Sequence, residues 1–411
     1  MAATTANAKR PLSSLALLGP AFVAAIAYVD PGNVAANLTA GARYGYLLVW
    51  VLIGANAIAV LVQYQSAKLG VVTGRSLPEY LGERLPTWPR RLYWLQAELV
   101  AAATDIAEVI GGAIALHLLF ALPLWLGGVI VGVVAIALLT VQSRAGQRAF
   151  EAAIIGLLAV IVIGFVAGLA VSGFDLGAAV DGLVPRFEDT GSVLLATSML
   201  GATVMPHAIY LHSALARDRH GAVQDASRIH RLLAATRVDV LLALVVAGAV
   251  NVAMLLLAAS QLRGAGGTDT IEGAHGAIVE ALGPVIGVVF AVGLLASGLA
   301  SASVGSYAGQ SILTGLLRVN VPVIVRRAVT LIPAVVLLAV GVDPTGALVV
   351  SQVCLSFGIP FALIPLVHAT GSRRVMGAFT NRVLLRILGW AAVVVVTALN
   401  LVLIVLVALG G

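Results

Sequence analysis

The sequence contains little charge for its length. Of its 411 residues only 10% are charged, whereas 60% are hydrophobic. Soluble domains carry roughly 25% charged residues, so the composition excludes a soluble globular protein. The hydrophobic residues form long continuous runs and lack the ten-residue alternation of membrane β-barrels. We therefore expect an all-α integral membrane protein embedded in a lipid bilayer.

Cysteine and enzyme motifs are also scarce. A single cysteine, Cys354, excludes an intramolecular disulfide. It lies within an apolar run, where we interpret it as a small buried hydrophobic residue. The sequence has no HExxH motif, no GxSxG motif and no pair of catalytic aspartates on adjacent helices. We therefore expect neither enzymatic activity nor a bound cofactor.

Long apolar runs divide the chain into eleven candidate membrane spans. The connections between them are short, so we expect no attached soluble domain. The spans are predicted at residues 15–40, 46–67, 93–119, 123–141, 151–172, 191–214, 238–259, 284–304, 327–341, 347–369 and 387–409.

The distribution of basic residues predicts the orientation in the membrane. With a cytoplasmic N-terminus, 21 of the 24 Lys and Arg residues lie on the cytoplasmic side. Only Arg43, Arg186 and Arg263 lie outside, in agreement with the positive-inside rule. We expect a multi-pass protein of the plasma membrane with its C-terminus outside. Because the cations are scattered over five loops, we expect no nucleic-acid partner.

The first span is interrupted by Asp30, Pro31, Gly32 and Asn33. Proline lacks a backbone N–H and glycine is a poor helix former, so the helix should open here. Opening would leave backbone carbonyls free beside a carboxylate and an amide. A charge and unpaired backbone groups at bilayer depth are tolerated where they line a cavity or bind a ligand. The segment therefore predicts a cation site.

A second break interrupts the sixth span at Met205 and Pro206, about 175 residues after the first. Each break opens a block of five spans, and an odd number of spans reverses the orientation of the second block. Paired broken helices in inverted halves are typical of the central site of secondary transporters. The predicted units are a cytoplasmic tail (1–14), a first repeat (15–172), an external loop (173–190), a second repeat (191–369), and a cytoplasmic loop with helix 11 (370–411).

The residue types at the two breaks indicate the kind of ion. Asp30 and Asn33 are three residues apart, so one helical turn places both oxygens on one side. These oxygens suit Mg²⁺, Ca²⁺ or Mn²⁺, whereas a thioether from Met205 favours Mn²⁺, Fe²⁺ and similar ions. A magnesium transporter on the same scaffold is the alternative. An amino-acid transporter is disfavoured because Asp30 would repel a substrate carboxylate.

Three stretches of the sequence resemble the Nramp family of proton-coupled divalent metal transporters. They read GPAFVAAIAYVDPGNVAANLTAGARYGY, MLGATVMPHAIYLHSAL and SQVCLSFGIPFALIPL. The similarity runs from about Leu15 to Arg386, nearly the whole chain. The resemblance implies a LeuT-like fold, a 5+5 inverted repeat with discontinuous helices 1 and 6. It also implies import of Mn²⁺, Fe²⁺ and similar ions by alternating access, with protons as co-substrate.

The resemblance further implies a set of metal ligands and a proton route. The implied metal site comprises Asp30, Asn33, the carbonyl of Ala202, the sulfur of Met205 and, in some conformations, Gln352. In the family, a proton pathway begins near the metal-site aspartate and runs toward the cytoplasm. The residues assigned to it here are Asp30, His207, Asp105, Glu108, Glu98, Arg326 and Arg327.

Asp105 and Glu108 lie one helical turn apart in the third span. An isolated carboxylate in apolar surroundings costs several kcal/mol, roughly, so each must be paired, hydrated or protonated. A structural salt bridge between the third and ninth spans is a second interpretation, and it is compatible with a proton pathway.

The histidines near the second break receive separate hypotheses. Histidine titrates near neutral pH, so His207 is a candidate proton carrier or a partner of the metal site. His212 lies five residues further on, which places it on a different helix face and argues against a zinc pair. We expect His212 to act in gating or packing. The predicted gating and hinge residues are Pro31, Gly32, Pro206 and His212, and we expect a monomer.

Overall fold

The computed structural model describes residues 19–264, 267–268 and 270–409. Within those ranges the side chains of 139–145, 147, 323–324 and 407 are not described. The described chain is helical, and no β-strand occurs in it. The expected cytoplasmic tail, residues 1–14, lies outside the described residues.

The helices of the first half run up to the external loop. They are α1 (Pro20–Ala25), a 3-10 turn (Ile26–Val29), α2 (Pro31–Tyr44), α3 (Val49–Thr73), α4 (Leu77–Arg84), α5 (Thr87–Phe120), α6 (Leu124–Ala145) and α7 (Gln147–Ser172).

The helices of the second half begin after Ser172. They are α8 (Leu176–Asp181), α9 (Thr190–Thr203), α10 (Pro206–His220), α11 (Ala226–Gln261), α12 (Ile271–Leu282), α13 (Pro284–Leu317), α14 (Val323–Ala339), α15 (Pro344–Gly371), α16 (Arg373–Met376), a 3-10 turn (Gly377–Phe379) and α17 (Val383–Ala408).

Within the described residues, each of the eleven predicted spans falls on one helix or on a pair of half-helices. In the described chain, eight segments are long and apolar enough to cross a membrane, and Pro20–Val29 and Leu124–Leu138 are shorter apolar helices. Several helices continue beyond their predicted ends; α5, for example, begins at Thr87. Hydropathy detects the apolar core of a helix, whereas backbone hydrogen bonding carries the helix on into the polar boundary.

The loops contain more structure than the short connections suggested. The predicted external loop 173–190 contains α8, in which Asp175 accepts a hydrogen bond from the N–H of Ala178 as the N-cap. On the opposite face α4 begins with a capping box, in which Ser76 and Glu79 each bond the other's backbone N–H. Such capped segments satisfy the backbone where the chain turns at the membrane boundary.

Close helix packing holds the core around the first break. A Cβ built on Gly298 of α13 would lie 2.9 Å from the Cα of Gly112 in α5. A Cβ built on Gly111 would lie 1.9 Å from the Cβ of Pro31. Glycine at these positions therefore lets α5 lie directly against both α13 and the first break. The same kind of contact recurs in membrane helix pairs that approach through small residues.

The interpretation of Cys354 as a buried residue is wrong. Cys354 is exposed on the surface of α15. Its position within an apolar run reflects a helix face directed away from the protein interior. In a membrane protein that face is apolar as well, so hydrophobic neighbours do not distinguish it from the core.

Candidate metal centre

The first break is centred on Asp30. The 3-10 turn ends at Val29, and Asp30 adopts an extended conformation with φ −71° and ψ 168° as the N-cap of α2. Its Oδ1 accepts hydrogen bonds from the backbone N–H and the side-chain Nδ2 of Asn33, both at 2.8 Å. Pro31 occupies the first helical position, where the missing N–H removes no helical bond. The predicted interruption of helix 1 is confirmed.

The expectation of free carbonyls at this break is wrong for two of them. The Tyr28 carbonyl accepts a hydrogen bond from Nδ2 of Asn251 in α11 at 2.7 Å. The Val29 carbonyl accepts one from the hydroxyl of Ser297 in α13 at 2.6 Å. A buried carbonyl without a donor is costly, so neighbouring helices supply donors where the helix itself cannot. Each of these carbonyls keeps one free lone pair, whereas Oδ2 of Asp30 and Oδ1 of Asn33 have no donor at all among the described residues.

The second break faces the first. The α9 helix ends at Thr203, Val204 is non-helical, and Met205 is the extended N-cap of α10 with Pro206 at the first helical position. The carbonyl of Ala202 accepts a hydrogen bond from Nδ2 of Asn33 at 2.9 Å. Asn33 therefore joins the two breaks directly. The predicted interruption of helix 6 is also confirmed.

Gln352 of α15 lies between the two breaks. A Cβ on Gly32 would lie 1.8 Å from its Nε2, and a Cβ on Gly201 would lie 2.0 Å from its backbone oxygen. The two glycines thus provide the space in which Gln352 approaches both broken helices. The structure thus brings this residue together with Asp30, Asn33 and Ala202, and we call the place where these four residues meet, the candidate metal site, the metal junction.

Three buried oxygens at this junction have no hydrogen-bond partner among the described residues. They are Oδ2 of Asp30, Oδ1 of Asn33 and Oε1 of Gln352. Met205 is fully buried at the start of α10, three residues after Ala202. Buried acceptors without donors are destabilising unless a cation or a donor satisfies them. One carboxylate, two amide oxygens and a nearby thioether form a donor set that fits Mn²⁺-like ions.

A second polar cluster connects α5 with α14. Nη1 of Arg327 lies 2.8 Å from Oδ1 of Asp105 and 3.9 Å from Oε2 of Glu108. Nη2 of Arg326 lies 2.9 Å from Oε1 of Glu98, and its Nη1 lies 3.7 Å from Oδ2 of Asp105. Arg327 is fully buried. The structure therefore brings all five residues together as the expected salt bridge between the third and ninth spans. We call these five residues the arginine–carboxylate network.

His207 connects the second break with α5. Its Nδ1 lies 3.3 Å from the hydroxyl of Thr104, which also donates to the carbonyl of Val100. Thr104 immediately precedes Asp105 in α5. Nε2 of His207 has no hydrogen-bond partner among the described residues. His207 thus links the second break to α5, next to Asp105 of the arginine–carboxylate network.

His212 belongs to a different hydrogen-bond chain. Its Nδ1 donates to Oε1 of Gln63 in α3 at 2.7 Å. The side-chain amide of Gln63 in turn donates to the hydroxyl of Tyr28 in the first break. All three side chains are buried. His212 therefore ties α10 to α3 and to the first half-helix, away from His207.

Several polar residues around the breaks were not predicted from the sequence. A signal existed for one of them, because Asn251 stands alone among apolar residues in AGAVNVAMLLL, where an isolated amide requires a partner. The serine and the threonine give no such signal, because these residues often bond their own helix backbone. The unpredicted residues are Tyr28, Gln63, Thr104, Asn251 and Ser297.

The two facing breaks and the inverted halves define a secondary-transporter fold. The fold is shared with MhsT in complex with L-phenylalanine, at 15% identity and a TM-score of 0.61 over 94% of this chain and 98% of that chain. At this identity the likeness concerns the fold alone.

Residues 21–406 match the family model described as Nramp, natural resistance-associated macrophage protein-like. The chain is 60% identical over 394 residues to the divalent metal cation transporter MntH of Mycobacterium tuberculosis, covering 96% of this chain and 92% of that protein. It is 45% identical over 393 residues to MntH of Bacillus subtilis, covering 95% and 92%.

A manganese transporter of Eremococcus coleocola, solved with an aromatic bis-isothiourea compound, has 31% sequence identity. Its TM-score is 0.86 over 97% of this chain and 88% of that chain. The chain therefore belongs to the Nramp family of multi-pass membrane proteins. Its relatives are named transporters, which confirms the prediction that it is not an enzyme.

Proposed function

We propose that this protein is a secondary active transporter that imports divalent transition-metal ions, such as Mn²⁺ and Fe²⁺, together with protons. The observation that carries the proposal is the junction of two broken helices, where three buried oxygens lack donors among the described residues. Family membership and the relatives named divalent metal cation transporter support it. The metal is the substrate of the protein and not a resident cofactor.

In the proposed site Asp30 supplies the negative charge that compensates for removing water from the ion. Asn33 and Gln352 supply amide oxygens, and Ala202 supplies a carbonyl whose second lone pair remains available beside the bond from Asn33. Met205 supplies a soft sulfur ligand that disfavours Mg²⁺ and Ca²⁺. This sulfur is the reason to prefer a transition metal over the magnesium alternative.

Transport proceeds by alternating access between the two inverted repeats, residues 15–172 and 191–369. The two prolines that follow the breaks, Pro31 and Pro206, each begin a new half-helix, so the backbone can bend there without breaking further helical bonds. Gly32 has no side chain and therefore permits a wider range of backbone φ and ψ angles at the first break. The chain from His212 through Gln63 to Tyr28 holds α10, α3 and the first half-helix together as a gate.

A proton leaves the metal junction through α5. Binding of a cation at Asp30 favours loss of any proton that its carboxylate carries, because like charges repel at short range. Glu108 lies one helical turn from Asp105 on the side of the first break, where Gly111 of α5 packs against Pro31. His207 and Thr104 lie beside Asp105. In the proposed orientation the N-terminal end of α5 faces the cytoplasm, so the inward route runs from Glu108 through Asp105 toward Glu98.

The proposed location is the plasma membrane, with the N-terminus in the cytoplasm and the C-terminus outside. The placement of 21 of 24 basic residues supports this orientation. The external loop 173–190 would then face the exterior and residues 370–382 the cytoplasm. We propose a monomer as the transporting unit, because both breaks and the whole polar pathway lie within one chain.

Uptake by proteoliposomes tests the proposal. Purified protein would be reconstituted with a metal-sensitive dye and a pH-sensitive dye inside, and Mn²⁺ would be added at two external pH values with Mg²⁺ or Ca²⁺ as competitor. We expect Mn²⁺ entry that excess Ca²⁺ or Mg²⁺ inhibits weakly and that acidifies the lumen. If Mg²⁺ inhibits Mn²⁺ entry as strongly as an equal concentration of additional unlabelled Mn²⁺ does, the magnesium alternative is supported instead. Metal entry without proton entry would refute the proton route.

A further inference from the structure

The segment from the start of α16 to the first turn of α17 carries three arginines around one cavity. The cavity has a volume of about 690 Å³ and is lined by Arg373, Arg382 and Arg386. None of the described residues that line it is acidic. All three arginines are exposed, and no ion pair or hydrogen bond joins their guanidinium groups to the described part of the chain. Three cations therefore surround a space that no carboxylate of the described chain neutralises.

Positive charge on this face of the protein does not by itself explain the cluster. Elsewhere on the same face, Arg75 pairs with Glu83 and Arg217 pairs with Glu79. Membrane topology accounts for the sign of such charges, because basic residues collect in cytoplasmic loops. It does not account for three unpaired guanidinium groups around one cavity, since mutual repulsion would favour spreading them apart.

The backbone that carries these arginines is held firmly in place. Asn381 is buried, and its N–H donates to the carbonyl of Thr370 at 3.0 Å. Its Oδ1 accepts from Nζ of Lys68 at 2.7 Å, and its Nδ2 donates to Gln65 and to the Thr370 hydroxyl, both at 3.0 Å. The residue next to Arg382 is thus fixed to α3 and α15. A fixed backbone lowers the entropy lost when a ligand binds.

Two further sources of positive potential lie at the same place. The Lys68 ammonium stands directly behind Asn381, which lines the cavity. The α17 helix begins at Val383, and its first internal bond on the cavity side runs from the N–H of Arg386 to the carbonyl of Arg382 at 3.1 Å. The N-terminus of a long helix carries partial positive charge and unpaired N–H groups that suit an oxyanion. The cavity therefore fits an anion with several oxygens.

The surroundings indicate where that anion comes from. Immediately after Arg382, the apolar side chains Val383, Leu384 and Ile387 are 69%, 66% and 59% exposed. Exposed apolar residues in a spanning helix contact acyl chains, so the arginines lie at the depth of the lipid headgroups. Guanidinium groups bind phosphate oxygens in bidentate fashion. We propose that this cavity binds a phosphate group carried by the headgroup of an anionic phospholipid.

Lipid binding to the full-length protein tests the proposal. Purified, delipidated protein in neutral detergent would be titrated with short-chain phosphatidylglycerol or phosphatidylcholine, and bound lipid would be counted by native mass spectrometry. The test variant replaces Arg373, Arg382 and Arg386 by Gln. The control replaces Arg228, Arg231 and Arg318, three exposed arginines of the same face outside the cavity, by Gln.

We expect one phosphatidylglycerol site of highest affinity in the wild type, and weakening by roughly 100-fold in the test variant, because each arginine adds to headgroup attraction. The control variant should bind phosphatidylglycerol nearly as the wild type does. A test variant that loses no more affinity than the control would overturn the proposal. Size-exclusion profiles that match the wild type would show that both variants are folded.

A further arm separates a lipid from a free phosphate ion. Inorganic phosphate, added to the wild type loaded with phosphatidylglycerol, should displace the lipid only at far higher concentration, because it lacks acyl chains to contact α17. Displacement at equal concentration would overturn the assignment to a lipid. Equal binding of phosphatidylcholine would overturn the requirement for an anionic headgroup.

Discussion

Two buried polar regions lie close together in this protein, where α2 and α14 both pack against α5, and they differ in the charges that they contain. At the metal junction, oxygens of Asp30, Asn33 and Gln352 lack donors among the described residues. In the arginine–carboxylate network, the guanidinium groups of Arg326 and Arg327 lie within ion-pair distance of carboxylates, and the buried atoms without a hydrogen-bond partner there belong to groups of both charges. A region of acceptors without donors suits a passing cation, whereas a region of paired charges holds helices together.

The arginine–carboxylate network also contains more acids than bases. Two arginines face the three carboxylates of Glu98, Asp105 and Glu108. One carboxylate is therefore left without an arginine of its own. If this carboxylate holds a proton, the two positive and two remaining negative charges of the network balance. Under the proposed function, the metal binds at the junction and the network carries the proton.

The largest expected effect is the loss of transport on Asp30→Ala. Uptake of Mn²⁺ into proteoliposomes should fall by roughly 100-fold or more. Loss of a residue that only hydrogen-bonds a metal ligand already lowers metal affinity or activity by about 10- to 100-fold, and Asp30 is proposed as a ligand itself. Asp343→Ala is the matched control. Like Asp30, Asp343 is the N-cap of a helix that begins with proline, and its side chain accepts a hydrogen bond from the backbone N–H of the residue three positions later, Gly346. Asp343 is exposed, so its substitution should leave uptake intact. Equal loss in both variants would assign the effect to helix capping.

The second effect concerns stability and not metal binding. Arg327→Gln removes the nearer of the two arginines that pair with the buried Asp105 and should lower the free energy of unfolding by about 3–5 kcal/mol. Adding Asp105→Asn should restore part of that loss. Arg326→Gln should cost less, because its partner Glu98 keeps a side-chain exposure of 23%. Denaturant titration of the purified variants measures all three, and equal costs for both arginines would contradict the role of burial.

The third effect concerns the choice of ion. Met205→Ala should retain most Mn²⁺ uptake but should raise inhibition by Ca²⁺ by roughly tenfold, because the remaining ligands are oxygens, which hard cations prefer. Competition assays in proteoliposomes measure the change. Met199→Ala is the control, because Met199 is also fully buried but lies in α9, before the break. Unchanged Ca²⁺ inhibition in Met205→Ala would refute the selective role of the sulfur.

The smallest effect is expected at a backbone group of the first break. Ser297→Ala removes the donor to the Val29 carbonyl and should cost about 1–3 kcal/mol of unfolding free energy. The order of preference among metal ions should not change, because this carbonyl faces α13. A changed preference would mean that the Val29 carbonyl also contacts the ion.

The breaks could be predicted from the sequence because proline after aspartate or methionine in an apolar run leaves the helix few alternatives. Asp30, Asn33 and Met205 followed from residue type, while Ala202 and Gln352 came from resemblance to the Nramp family. Spacing alone could not place Gln352, since its approach depends on the missing side chains of Gly32 and Gly201 in other helices. Donors such as Ser297 were equally hidden, because a hydroxyl in a helix usually bonds its own backbone.

The central claim is that the ion binds where the two broken helices meet. Diffraction from crystals grown with Mn²⁺, recorded at a wavelength where manganese scatters anomalously, locates the ion directly. A single strong anomalous peak in contact with Oδ2 of Asp30, Oδ1 of Asn33 and the sulfur of Met205 is the predicted result. A peak among Glu98, Asp105 and Glu108 instead, with none at the junction, would contradict the assignment of metal and proton to separate regions.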